Sequence, residues 1–174
     1  TNIGDPENRD EENNLDGFVI DGLVISGNQA DFGAGIYAKN AEVEIRRCQI
    51  TGNVGETGAA LYFSDAKIRI INSTISGNYS STDAAPGGIY SSNGTQGLFI
   101  LNSIIWYNSS PQMKFEDDAT QLIVAYSDIG HPEISYDNLD NYSNMTLIYP
   151  SGVFTNISAD PLFELSIIPS GTPT

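Results

Sequence analysis

Ile25-Ser26-Gly27-Asn28 is a short string that returns along the chain as Ile50-Thr51-Gly52-Asn53, as Ile75-Ser76-Gly77-Asn78 and, in weaker form, as Ile105-Trp106-Tyr107-Asn108. The successive steps are 25, 25 and 30 residues. A repeat of this length is one supersecondary unit that cannot bury its apolar face alone, so it must stack on its neighbours. The chain is therefore predicted to be a solenoid.

Each unit contains short runs in which apolar residues alternate with others, which is typical of strands of about four residues. These runs are Val43-Glu44-Ile45, Ile68-Arg69-Ile70, Leu98-Phe99-Ile100 and Leu122-Ile123-Val124. Glycine-rich turns lead into further short strands at 33–37, 58–62 and 87–90. No segment carries a sustained apolar stripe of helical period, so we expect almost no helix. This argues against leucine-rich and ankyrin repeats, which need a helical segment in each unit.

Overlaying the units predicts which residues stack from one coil to the next. One inward column contains Val43, Ile68, Leu98 and Leu122, and a second contains Ile45, Ile70, Ile100 and Val124. Asn28, Asn53, Asn78 and Asn108 form a polar column at a turn, where stacked amides can hydrogen-bond along the stack. Outward, Glu42 is predicted to lie over Lys67 and Glu44 over Arg69.

These repeats resemble the right-handed parallel β-helix proteins, the superfamily that includes pectin and pectate lyases. The strings that carry the resemblance are Gly87-Gly88-Ile89, Ile75-Ser76-Gly77-Asn78 and the tail 156–163. The chain resembles repeat-rich bacterial and archaeal surface proteins of that superfamily and, more distantly, chlamydial polymorphic outer-membrane proteins, although Ile stands where the chlamydial repeat has Phe. The resemblance implies the fold, and it leaves the chemistry open because the superfamily contains enzymes, adhesins and structural proteins.

The predicted fold class is all-β: a right-handed parallel β-helix (solenoid) of about five to six coils with an irregular C-terminal covering segment. Residues 1–16 are an acidic leader, 17–129 are the β-helix repeats, and 130–174 pack on the helix. A cover is expected because the outward column Glu44, Arg69, Phe99, Ile123 changes from charged to apolar along the stack. We also expect a processed product or a piece of a longer protein.

Charge limits the partners. The formal net charge is −15 over 174 residues, which disfavours nucleic acid and anionic membranes. We expect no direct membrane insertion, because no stretch is apolar and long enough. Few basic residues among many Asn, Ser, Thr and Tyr indicate an extracellular or cell-surface location. The single Cys48 aligns with Ser73 and Ser103 and is predicted to be a small buried turn residue.

The acidic leader is dense in oxygen ligands of the kind that Ca²⁺ prefers. The candidate metal ligands are Asp10, Asn14 and Asp16, which stand nearest to the repeats. The alternative is a solvated leader without an ion. Seven Asn-x-Ser/Thr sequons are present; Asn93, Asn141 and Asn144 are the candidate glycosylation sites because they are predicted to lie in loops. Asn78 and Asn108 belong to the polar column and are expected to be structural.

The sequence contains few residues that could act as catalytic groups. Polysaccharide lyases on this scaffold need a Lys or Arg base near carboxylate-bound Ca²⁺, and Glu42 and Glu44 are placed to neutralise the arginines. Asp117 and Asp118 resemble the paired carboxylates of galacturonan hydrolases, but the flanking strings of those enzymes are missing. His131, the only histidine, is expected in a turn. We predict no catalytic residues and no enzyme activity.

Tyr37, Tyr62 and Tyr90 follow the glycine turns at equivalent positions, which predicts a column of stacked tyrosines. Whether the column faces outward, as a contact for sugar or protein, or inward as core stays open. The preferred interpretation is a non-catalytic structural or adhesive module that self-assembles end to end, with other copies, neighbouring domains or glycans as partners. The alternative is a carbohydrate-active module, either a sugar-binding domain or a remnant of a polysaccharide lyase or hydrolase.

Overall fold

The computed structural model describes residues 17–83, 85–92, 97–109, 111–116, 122–130, 134–136 and 161. Within these ranges the regular structure consists of strands, and none of the described residues is helical. No helix in this part of the chain could therefore cross a membrane. The all-strand prediction is confirmed.

The strands follow one another around successive rungs of a solenoid. The first rung contains β1 (Phe18–Asp21), β2 (Val24–Ser26), β3 (Gln29–Phe32) and β4 (Ile36–Lys39). The second contains β5 (Glu42–Arg46), β6 (Gln49–Thr51), β7 (Val54–Thr57) and β8 (Leu61–Ser64). The third contains β9 (Lys67–Ile71), β10 (Thr74–Ser76), β11 (Tyr79–Ser80) and β12 (Ile89–Ser92). Next come β13 (Gly97–Leu101), β14 (Ile104–Trp106), β15 (Met113–Phe115), β16 (Leu122–Ala125), β17 (Asp128–Ile129) and β18 (Ile134–Tyr136).

Equivalent strands of successive rungs pair in parallel. They form three five-stranded sheets, with orders β1-β5-β9-β13-β16, β2-β6-β10-β14-β17 and β4-β8-β12-β15-β18, and one three-stranded sheet, β3-β7-β11. The molecule is thus a parallel β-solenoid of about four turns. The prediction of five to six coils was slightly too high, because it counted stacked strands, and five stacked strands are separated by only four turns.

The register is the one predicted from the repeats. Val43 pairs with Ile68 and Ile45 with Ile70 between β5 and β9, and both columns continue through β13 to β16. Members of the two columns are between 0% and 6% exposed. Full burial of one such aliphatic side chain contributes about 1.5–3 kcal/mol, so these two columns supply much of the force that holds the rungs together.

Many of the turns between strands pass through one residue with positive φ. Arg47, Asn72, Asn102 and Tyr126 have φ between 49° and 53° at equivalent positions of successive rungs. Gly58, at another corner, has φ 56°, and a Cβ there would lie 2.6 Å from the carbonyl oxygen of Leu61. Only glycine fits that corner, because both the backbone conformation and the space exclude a side chain.

The predicted asparagine column is a continuous hydrogen-bonded ladder. The Nδ2 atoms of Asn28, Asn53 and Asn78 donate to the Oδ1 atom of the next member at 3.0, 2.9 and 2.8 Å. Each of these Oδ1 atoms also accepts the backbone N–H of the preceding member. Asn53, Asn78 and Asn108 are at most 6% exposed, so the ladder satisfies amide groups that would be costly to bury unpaired.

Gln112 ends the ladder, and sequence reasoning missed it. Its Oε1 atom accepts from the backbone N (3.2 Å) and Nδ2 (2.9 Å) of Asn108, in place of a further asparagine. A second internal column contains Cys48, Ser73, Ser103 and Ser127, in which each serine Oγ accepts the backbone N–H one rung earlier. Cys48 is 2% exposed, as predicted for a small buried turn residue.

The two ends of the chain lie largely outside the described residues. This holds for the leader 1–16 and, except for 130, 134–136 and 161, for the segment 130–174. Within that segment, which was expected to be irregular, β18 pairs in parallel with β15. The fourth column of strands therefore extends past residue 130. Outward apolar residues that prompted the prediction of a cover, Ile71, Phe99, Leu101 and Ile123, are partly buried.

Candidate functional site

The three predicted tyrosines form a stack on the outer surface of one sheet. Tyr37 pairs in register with Tyr62, and Tyr62 pairs with Tyr90. Their ring centroids are 5.2 and 5.1 Å apart, with interplanar angles of 11° and 26°. They face outward because Leu61 and Phe63, which alternate with Tyr62 along β8, are both 0% exposed in the core.

Exposure decreases along the stack, so only its first member offers a large free surface. Tyr37 is 52% exposed, Tyr62 is partly buried, and Tyr90 is 7% exposed. Phe32, at the end of β3, packs edge-on against Tyr62 at 5.3 Å and is 49% exposed. The accessible part of the site is therefore a pair of aromatic rings, Tyr37 and Phe32, held in place by Tyr62.

Lys39 is an exposed charged residue that shares the outward side of β4 with Tyr37. A rigid ring face beside polar groups can stack on the apolar face of a sugar ring or on a side chain of another protein. Sequence reasoning found the three tyrosines by their spacing and missed Phe32, which has no aromatic equivalent in the next rung, where Thr57 pairs with it.

The basic residues of the second rung are paired with carboxylates. Arg46 Nε donates to Asp21 Oδ2 at 3.0 Å and Arg46 Nη1 to Glu44 Oε1 at 3.1 Å, and Arg47 Nη2 also contacts Asp21 Oδ2. The hydrogen bond and the charge of Asp21, followed by Glu44, raise the pKa of the Arg46 guanidinium above its ordinary value. A base must lose its proton to act, so this environment makes Arg46 a poor candidate for one.

The predicted charge pairs on the outer face are stacked in register, but only one is an ion pair. Lys67 Nζ lies 3.8 Å from Glu42 Oε1. Glu44 pairs with Arg69 in strand register, yet its carboxylate bonds Arg46 in its own strand, and the guanidinium of Arg69 lies 5.8 Å from the centroid of the Phe99 ring. Such surface pairs contribute only about 0–1 kcal/mol each.

Several candidate residues lie outside the described part of the chain. These are the proposed metal ligands Asp10, Asn14 and Asp16, the proposed glycosylation sites Asn93, Asn141 and Asn144, and the residues Asp117, Asp118 and His131. Within the described residues, no group of three or more His, Cys, Asp and Glu side chains could hold a metal ion. The sequons at Asn78 and Asn108 are 1% and 6% exposed in the ladder, which agrees with their predicted structural role.

Among the described strands, those of the first rung are the outermost at one end of the stack. Phe18 occupies the same inward column as Val43, but it is 73% exposed, whereas Val43 is 6% exposed. We call this surface the first-rung end: the outer edge of β1–β4 and the turns between them. Its large exposed apolar residues are Phe18, Val19, Leu23, Val24, Phe32 and Tyr37. The repeat pattern alone could not indicate which end of a column lacks a neighbour.

Comparison with known proteins agrees with this architecture. Residues 10–155 match the family model described as right handed beta helix region. No curated protein and no solved structure matches the chain. The match covers most of the 174 residues, and it is consistent with the pectin-lyase-like superfamily, which its repeats resemble.

Proposed function

Because the chain belongs to the right-handed β-helix family, we propose that it is a non-catalytic structural or adhesive module of an extracellular or cell-surface protein. The family contains both enzymes and non-enzymes, so membership alone does not decide between them. The choice depends on how this chain uses its polar and aromatic residues.

The observation that carries the proposal is the continuous asparagine ladder. The side-chain amides of four asparagines and Gln112 bond one another, from the exposed Asn28 of the first rung to the buried Gln112 of the fourth. Amide groups committed to such a ladder hold the rungs at a constant spacing, and hydrogen bonds along the stack resist shear between rungs. A rod with this interior transmits force and presents its loops at fixed positions, as a stalk, coat or adhesive module requires.

The ionic groups support the same role. On the second rung the arginines are engaged by Asp21 and Glu44, and on the next rung Lys67 is engaged by Glu42. Lyase chemistry would need a basic group beside a cation-binding set of carboxylates, with the basic group available to take a proton from the substrate. Asp21 and Glu42 instead form pairs that connect neighbouring rungs, and Glu44 pairs with Arg46 in its own strand.

The test measures two properties of the domain: its cleavage of polysaccharides and its rate of unfolding. The domain is incubated with a panel of neutral and acidic polysaccharides, with and without Ca²⁺, and new reducing ends and unsaturated products are measured. We expect no turnover above the buffer control, and we expect slow unfolding in urea or under force. Reproducible cleavage of any polysaccharide that is lost on unfolding the domain would show that the non-catalytic assignment is wrong.

The second candidate function is sugar binding, and the exposed Tyr37–Phe32 pair favours it. Titration of the domain with oligosaccharides by calorimetry would detect such binding. Under this alternative, Tyr37→Ala weakens binding by about tenfold or more, which is ~1.4 kcal/mol. Tyr79→Ala is the matched control, because Tyr79 is 55% exposed and lies in a different sheet, outside the stack.

The ion and the glycans stay predictions within this proposal. Ca²⁺ at Asp10, Asn14 and Asp16 would raise the midpoint of thermal unfolding in proportion to the logarithm of its concentration. Glycans at Asn93, Asn141 and Asn144 would add to the intact mass of protein from its native source. Labelling of intact source cells by an antibody against the domain would test the proposed surface location.

A further inference from the structure

We propose that Asn72 is an acceptor site for an N-linked glycan, and that the sequons of the asparagine ladder are not. Asn72-Ser73-Thr74 has the Asn-x-Ser/Thr form of an acceptor sequence. N-linked glycans are carried by exported proteins, so this site rests on the extracellular or cell-surface location proposed above.

The position of Asn72 is a corner of the solenoid, between β9 and β10, each the third of five strands in its sheet. Its φ is 51°, a left-handed conformation that asparagine adopts more readily than most residues. The backbone N–H of Asn72 donates to the carbonyl of Leu101 at 3.0 Å, so a backbone bond anchors this corner to the next rung. Arg47 and Tyr126 occupy the same corner in other rungs, which shows that the corner accepts long side chains.

The side chain of Asn72 is available for modification. The residue is exposed, and within the described part of the chain its amide makes no hydrogen bond, unlike the ladder asparagines. Thr74, whose hydroxyl completes the sequon, is partly buried. Its hydroxyl also has no partner among the described residues, where Asp21 Oδ1 is the one buried side-chain oxygen or nitrogen that lacks one. The Thr74 hydroxyl therefore reaches solvent.

The other two sequons with described asparagines have the opposite environment. Asn78 Nδ2 donates to Asn108 Oδ1 at 2.8 Å and to the carbonyl of Ile50 at 2.9 Å. Asn108 Nδ2 donates to Gln112 Oε1 at 2.9 Å and to the carbonyl of Ile75 at 3.0 Å. A sugar on either nitrogen would replace a donated hydrogen and would need space in a close-packed interior. A folded chain therefore cannot carry a glycan at these two positions.

The modification changes one bond on the Asn72 side chain. Nδ2 bonds to the anomeric carbon of an oligosaccharide that is carried on a lipid phosphate or pyrophosphate. The bond between that carbon and the phosphate oxygen breaks, the phosphate leaves with the electron pair, and Nδ2 loses one proton. One N–H of the amide remains, and the backbone bond to Leu101 is not involved.

The neighbouring rungs leave room for a sugar at this corner. Arg47 and Asn102, one rung to either side, are both exposed. The corner lies between the sheet that contains β9 and the sheet that contains β10. A glycan on Asn72 would therefore lie along one edge of the rod, beside polar side chains that can bond its hydroxyl groups.

The experiment maps the glycans of the protein from its native source by tandem mass spectrometry. Trypsin leaves residues 70–114 as one peptide that contains four sequons, so fragmentation by electron transfer is needed to assign each sugar to one asparagine. We expect a sugar on Asn72 and none on Asn78 or Asn108. An unmodified Asn72, or a sugar on either ladder asparagine of the folded protein, would overturn the proposal.

Thr74→Val and Thr74→Ser are a matched pair of variants for production in a secreting eukaryotic host. Both keep Asn72, but valine replaces the hydroxyl of the sequon with a methyl group, whereas serine retains a hydroxyl. We expect the sugar on Asn72 in the unmodified sequence and in Thr74→Ser, and its complete loss in Thr74→Val. Equal occupancy in the two variants would overturn the assignment to this sequon.

Enzymatic removal of the glycan tests the exposure of its attachment site. Peptide N-glycosidase should release the sugar from the folded protein, because Asn72 is exposed. Release only after denaturation would contradict the accessible corner on which the proposal rests.

The glycan site and the proposed function can fail separately. An unmodified Asn72 on a protein that antibody labelling finds at the cell surface would overturn the glycan site and leave the location and the structural role intact. Polysaccharide cleavage by a protein that carries a sugar on Asn72 would instead overturn the non-catalytic assignment and keep the glycan site.

Discussion

Replacing Asn78 with alanine should remove the centre of the asparagine ladder and cost a large share of the stability. Asn78 is 1% exposed, and its Oδ1 atom accepts the backbone N–H and the Nδ2 of Asn53 at 3.0 and 2.9 Å. Its Nδ2 atom donates to Asn108 Oδ1 at 2.8 Å and to the carbonyl of Ile50 at 2.9 Å. Alanine supplies none of these groups.

The expected cost follows from the groups that lose their partners. The backbone N–H of Asn53, which is 0% exposed, and one of the two N–H groups on its Nδ2 atom lose their partner, while Nδ2 keeps its bond to the carbonyl of Ile25 at 3.0 Å. A buried N–H without a partner costs about 1–3 kcal/mol. Asn108 Oδ1 loses one donor but keeps the backbone N–H of residue 78 at 3.1 Å. We therefore expect a loss of about 3–5 kcal/mol, which is a substantial fraction of the ~5–15 kcal/mol that stabilises a typical domain.

Asn28→Ala is the matched control, because it deletes the same side chain at the exposed end of the ladder. Asn53 Oδ1 then keeps the backbone N–H of residue 28 at 3.1 Å, and water can reach the groups that remain. We expect a loss below about 1 kcal/mol. Both variants have the same change in volume and composition, so the difference between them isolates burial within the ladder.

The assay is urea unfolding, followed by far-ultraviolet circular dichroism and by fluorescence of Trp106, the single tryptophan. Equal slopes of free energy against urea in all proteins are required before the values are compared. If Asn78→Ala costs no more than Asn28→Ala, the ladder is a by-product of packing, and the reasoning from unsatisfied amides fails.

Three further predictions use the same unfolding assay. Gly27→Ala should lower the free energy of unfolding by about 1 kcal/mol through its positive φ alone, since a Cβ there meets nothing within 4 Å. Gly58→Ala should lower it by about 3 kcal/mol or more, because its Cβ would clash with backbone atoms. Equal losses in the two variants would contradict this reasoning. Cys48→Ser should change stability by less than about 1 kcal/mol, because serine occupies the equivalent buried position in later rungs; a larger loss would show that the thiol has a separate role. Ile70→Ala should lower the free energy of unfolding by about 3–4 kcal/mol, because Ile70 is fully buried. Phe18→Ala should change it by no more than about 1 kcal/mol, because Phe18 is exposed. A larger loss for Phe18→Ala than for Ile70→Ala would show that the inward columns are not buried as described.

The columns could be read from the sequence because a solenoid converts sequence periodicity directly into contact. Residues 25 or 30 positions apart become nearest neighbours across one rung, so aligning the repeats predicted the stacking of Ile45 on Ile70. The polar column and the tyrosine stack were predicted for the same reason. The coil count was less accurate, because the pattern gives the number of repeats and not the number of turns between them.

The candidate interaction site could be predicted only in part. Spacing identified Tyr37, Tyr62 and Tyr90, but it gave no indication that exposure falls from 52% to 7% along them. Phe32 escaped notice because it occurs once and belongs to no column of aromatic residues. A contact that is not repeated leaves no periodic signal, so it becomes visible only when the chain is folded.

The sequence by itself determined the all-β class, the parallel register and the members of each stack. These features follow from the same shift of one rung along the solenoid axis, which relates each repeat to the next. Only the tertiary structure showed which residues stand at the ends of the stacks and which groups the charged side chains contact. Gln112 replaces an asparagine that the next rung lacks, Glu44 bonds Arg46 and leaves Arg69 to Phe99, and Phe18 stands open at the end of a buried column. These features depend on neighbours that lie beyond one repeat or beside it in space, where the local pattern carries no information.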